Sequence, residues 1–148
     1  MQLADFIVCD DVRFEMGNKM SIMGIYDDSI LIPPPGIGSE LLWPLAMRLS
    51  FFIRMHQTAH DAAINGFEFI VTHEGEKIAF LDGAIAIRDP SKPLRLAISL
   101  SQLLLPSLGK LSFKIVLKNG SEVISETDVP HNIRIALLDD TPSVPAPA

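Results

Sequence analysis

The 148-residue sequence predicts an all-β fold, an antiparallel β-sandwich of about 8–10 strands. Three observations carry that prediction. Apolar residues alternate with a period of two rather than 3.6, so each run has one face to bury. Turn signals recur every 8–12 residues, the spacing of sandwich strands. Prolines fall between the alternating runs, at residues 33–35 and at Pro90 and Pro93, where no ladder donor is lost.

In chain order, the first strands are expected near 4–9 and 11–16, followed by a Gly17-Asn18 turn and a return strand at 19–26. "IPPPGIG" (32–38) reads as a stiff crossover between sheets. Residues 45–56 show the alternation most clearly. Leu45, Met47, Leu49, Phe51, Ile53 and Met55 share one face, and only Phe52 breaks the polar pattern of the other. Residues 57–65 read as a loop or helical turn, then strands follow at 66–73 and 77–87 around the Glu74-Gly75 turn. "RDPSKP" (88–93) is a break. In 94–101, Leu94, Leu96, Ile98 and Leu100 share a face, and "SQLLLPSLG" (101–109) suggests one short helical turn. The strand at 110–118 buries Leu111, Phe113, Ile115 and Leu117, and Asn119-Gly120 predicts a type I′ hairpin into a strand at 121–127. A last strand is expected at 131–137. The expected organisation is a single sandwich domain over 1–138 and a proline-rich disordered tail over 139–148.

Composition narrows the function. Net charge is −6, and the twelve Lys and Arg residues are scattered, without the basic footprint that nucleic acid or an anionic membrane surface requires. No apolar run approaches the ~20 residues of a membrane span. A single cysteine, Cys9, excludes an intrachain disulfide, and "MQLADFIVCDD" lacks the basic start of a signal peptide, so a cytoplasmic location is expected. Mean hydropathy is +0.31 with 20% charged residues, an apolar surplus for so small a domain. Phe52, Val116 and Ala86 stand at outward positions, which predicts a homo-oligomer, most simply a symmetric dimer, or a protein partner.

The opening "ADFIVCDDVRFEMGNKMSIMGIYDD" resembles an uncharacterised bacterial family, a domain of unknown function. The resemblance lies in the "CDDVR-x-E" strand, the "GNK" turn and the "S-x-x-GIY" return strand, and "GKLSFKIVLKNGSEV" (109–123) is similar to the family's late hairpin. It implies a β-sandwich of this length and assigns no functional residues.

Candidate sites are few. A turn at residues 17–18 would bring Asp10 and Asp11 near residues 24–28, so that Asp10, Asp11, Asp27 and Asp28 reach one end of the hairpin. Several carboxylate oxygens are what a hard divalent cation such as Ca²⁺ takes. Against that, neighbouring strand residues point to opposite faces, and Asp10 is in phase with Phe6, Val8, Val12 and Phe14. A structural role is the stronger reading, with Arg13 and Arg134 as partners. His56, His60 and Asp61 have a zinc-like His-x-x-x-His spacing but no evident helix to hold it. Cys9 reads as a buried small hydrophobe and Trp43 as a plug at one end of the sandwich. His73 and His131 read as surface residues. No phosphate loop, serine elbow or nucleotide fingerprint is present in the sequence. The expectation is a non-enzymatic interaction or assembly module without a cofactor, with a ligand- or divalent-metal-binding sandwich as the alternative.

Overall fold

The computed structural model describes residues 1–138; the expected tail lies outside the described residues. It contains ten strands: β1 (Gln2–Glu15), β2 (Lys19–Tyr26), β3 (Ser29–Ile32), β4 (Leu45–His56), β5 (Gly66–His73), β6 (Glu76–Ala84), β7 (Leu94–Leu105), β8 (Gly109–Asn119), β9 (Glu122–Asp128) and β10 (Ile133–Leu137). A 3-10 turn at Ala59–Ala63 fills the segment expected to be loop or helical turn.

The strands form a sandwich. One sheet has the order β2-β1-β4-β7, and the other has β3-β10-β8-β5-β6, with β9 also paired to β8. All pairings are antiparallel except β3 with β10, which is parallel. The expected inward residues of β4 and β8 do form the core. At its centre Phe6 and Phe51 from the first sheet meet Phe69 and Phe113 from the second. Ring centroids stand 4.8 Å apart for Phe51 and Phe69, and 5.1 Å for Phe6 and Phe113. Four interlocked rings bury a large apolar area between the layers and favour tilted contacts over sandwich stacking. Trp43 is half-buried against this core.

Several elements differ from the sequence reading, each for a physical reason. The segments 4–9 and 11–16 are one continuous strand, because nothing at Asp10 breaks the extended backbone. Residues 101–105 continue β7, where Leu103 and Leu105 pair with Met47 and Leu45, so cross-strand burial overrides the helical propensity of the leucine run. β3 was not expected; its four residues gain order by lying parallel to β10, a long-range pairing. In the β8–β9 hairpin, Asn119 pairs with Glu122, leaving Gly120 (φ 60) and Ser121 as the central residues. A single positive φ at the first central position is the II′ pattern rather than I′. His73 is buried, at 5% exposure, because it continues the inward phase of Phe67, Phe69 and Val71. Its Nε2 lies 3.0 and 3.2 Å from the carbonyl oxygens of Ser107 and Leu108, pinning the corner that leads into β8. His131 is half-buried.

The outward residues Phe52 and Val116 are also covered, at 6% and 3% exposure, while Ala86 is exposed. Phe52 therefore offers no free apolar face on β4.

Candidate functional site at the first hairpin

The ladder between β1 and β4 ends at Cys9 opposite Ser50, and from there β1 pairs only with β2. A straight hairpin would leave the sheet at that point. Instead its tip shares a groove of about 420 Å³ with Lys92, Pro93 and Arg95 at the start of β7. Arg95 stands opposite Arg54, and Arg54 opposite Asp5, near the beginning of β1. The hairpin thus arches back across the outward face of β4. Cys9, Ser50 and Phe52 alternate with the core residues Val8, Phe51 and Ile53 and so point away from the core, yet all three are buried.

The bend is built from residues with matched shapes. Gly24 lies across the ladder from Asp10 with φ 65, a left-handed conformation that a side chain makes costly. A Cβ there would collide with the Asp10 carboxylate. Asp10 Oδ1 accepts the Tyr26 hydroxyl at 2.6 Å. Burial of the phenol, followed by this bond to Asp10, pushes Tyr26 up to about 12. Asp11, on the opposite face, accepts from Arg13 Nε at 2.9 Å and Arg48 Nη2 at 3.2 Å. The bond from Arg13 holds the Asp11 carboxyl below its ordinary value, with Arg48 adding to the effect. Under the bend, Ser50 Oγ donates to the Asp10 carbonyl (3.1 Å) and lies 2.9 Å from Ser99 Oγ, tying β1, β4 and β7 together.

The register corrects the expected gathering of aspartates. Asp10 and Asp11 oppose Gly24 and Met23, closer to the turn than expected, while Asp27 and Asp28 lie beyond Tyr26, which pairs with Val8. The four carboxylates therefore do not converge, because the three-residue loop 16–18 sets a tighter register than the expected range. Among the described residues, no group of three or more His, Cys, Asp or Glu side chains is placed to hold a metal ion. Arg13 is the partner of Asp11 rather than Asp10, and Arg134 meets this region through its backbone N–H, which donates to the Asp28 carbonyl.

The other sequence candidates have structural partners. His56 ends β4 exposed, and His60 is exposed on the 3-10 turn. Asp61 is buried and turns inward. Its Oδ2 accepts the N–H (2.6 Å) and hydroxyl (3.0 Å) of Thr58, and its Oδ1 lies 3.0 Å from the Met1 ammonium. Cys9 is fully buried with Sγ 3.5 Å from the Ser50 carbonyl, and burial, with the nearby Asp10 charge, pushes its thiol up, the reverse of nucleophile activation. Sequence reasoning missed Tyr26 and Arg48 as partners of the aspartates, and it missed the approach of Lys92 and Arg95 to the tip. The left-handed Gly24 next to "IYDD" was the available local signal for the first; no local signal exists for the second.

Among the described residues, no helix is long and apolar enough to cross a membrane. Compared with known proteins, the chain matches no family model and no curated protein.

Proposed function

We propose that this protein is a non-enzymatic interaction or assembly module of the cytoplasm, and that its first partner is a second copy of itself, engaged through the free edge of β2. The observation that carries this reading is the exposure of the hairpin. On β2, Met23 is 45% exposed and Ile25 61%, and Met16 in the turn before it is 93% exposed; among the described residues β2 has no neighbour on its outer side. An eight-residue edge strand with apolar side chains and unpaired backbone groups is a template for strand addition. Lys19 is its only charged residue. Antiparallel self-pairing centred on Met23 sets Lys19 of one copy opposite Asp27 of the other, so charge favours a second copy. The free thiol of Cys9 and the absence of any other cysteine suit a reducing compartment. The likeness of the hairpin to an uncharacterised bacterial family belongs to the same reading: the arch would be that family's shared element.

Light scattering on a size-exclusion column tests the proposal. The expected mass is twice 16.2 kDa, returning to the single-chain value in Met23→Lys and Ile25→Lys, with unfolding midpoints unchanged. A single-chain mass that persists at high micromolar concentration overturns it.

A further inference from the structure

The groove at the tip of the arch combines apolar and cationic residues. It is lined by Phe14, Met20 and Pro93 together with Lys19, Lys92 and Arg95, and by one carboxylate, Glu15. In a chain of net charge −6, three cations facing one anion is a local inversion of sign. The cations are also undercompensated. Arg95 stands opposite Arg54, a like-charge cross-strand pair that costs stability unless an anion lies nearby. The available carboxylate, Asp5, is 2.5 Å from Arg54 and serves that residue. Neither Arg95 nor Lys19 has an ion-pair partner among the described residues, and Lys92 has only Asp89 at 3.7 Å. The apolar half is equally open: Phe14 is 70% exposed, and it pairs across the hairpin with Met20. A volume of about 420 Å³ falls in the range of small-molecule sites, which combine apolar walls with a few placed polar groups.

We infer that this groove binds a small aromatic carboxylate. The carboxylate would meet the Arg95 guanidinium in a two-pronged bond, with Lys19 and Lys92 as flanking charges. The ring would lie against Phe14 and Met20, through offset stacking and a sulfur–aromatic contact. The groove takes Lys19 and Met20 from β2, and its other lining residues lie outside that strand.

The test uses the full chain, with naphthalene-2-carboxylate as probe and naphthalene-2-carboxamide as its uncharged match. Titration followed by backbone amide resonances should show saturable binding of the acid, with shifts confined to residues 14–20 and 92–95. The amide should bind at least about tenfold more weakly. Arg95→Gln and Phe14→Ala should each weaken the acid severalfold, while Lys110→Gln, remote from the groove, should not. All three side chains are solvent-exposed, so unfolding midpoints serve as the check that each variant is folded. Equal affinity for acid and amide, shifts elsewhere on the chain, or no saturation at millimolar probe would overturn the inference.

Discussion

Tyr26 donates its hydroxyl to Asp10 Oδ1 across 2.6 Å, joining two residues on adjacent strands at the point where the first hairpin bends. The bond explains why an aspartate in phase with the core is tolerated. β1 has passed the end of its ladder with β4, Asp10 is exposed, and its carboxylate takes the one phenol within reach.

Tyr26 is the chain's only tyrosine, so its titration can be read directly from phenolate absorbance. The midpoint should fall near 12, and Asp10→Asn should lower it part of the way, since burial is the larger cause. A pKa raised on folding gives stability that is complete below the unfolded value near 10 and lost as pH rises through the folded one. Wild type should therefore lose stability between about pH 10 and 12, and Tyr26→Phe should lose less over that window. A midpoint at the free-tyrosine value would show that the bond does not form.

Gly24→Ala should destabilise by at least about 1–2 kcal/mol from the left-handed backbone alone. It should lose more because the new Cβ displaces Asp10. Adding Asp10→Ala should recover the second part and leave the first, a coupling readable in a double-mutant cycle of urea melts.

Phe113→Ala should cost about 3–5 kcal/mol, because it removes one ring of a four-ring cluster that spans both sheets and leaves a cavity the layers cannot close. A neutral result in denaturant melts would invert the assigned face of β8.

Burial alone would raise the Asp61 carboxyl, but the Thr58 N–H, the Met1 ammonium and the Thr58 hydroxyl outweigh it and hold the group below its ordinary value. A depressed folded pKa contributes stability that is present above the unfolded value near 3.9 and lost as pH falls through the folded value. Thermal melts should show wild type losing its advantage over Asp61→Asn below about pH 4. A constant difference between the two from neutral to acid pH would remove Asp61 from the acid transition.

Much of the fold was legible because burial on one face of a strand is written as alternation. Leu49, Phe51 and Ile53 are inward for the same reason that Phe113 and Ile115 are, and each could be placed without knowing its neighbours. The same rule held for His73, where the phase through Phe67, Phe69 and Val71 was a better guide than its place beside a turn. Turn chemistry located Gly17, Gly75 and Gly120, because few other residues accept positive φ.

Where alternation stops informing, only the tertiary structure decided. β3 exists because β10 lies beside it, and residues 101–105 are strand because β4 extends far enough to pair with them. Phe52 is outward by the alternation of its own strand, yet the folded chain leaves it only 6% exposed. The groove that Lys19 and Arg95 share likewise joins segments distant in sequence. The sequence by itself determined which side of each strand faces inward, since that depends on a residue and its neighbours two positions away. The chain's path through space determined what lies over the outward side, since that depends on contacts between segments with no common local pattern.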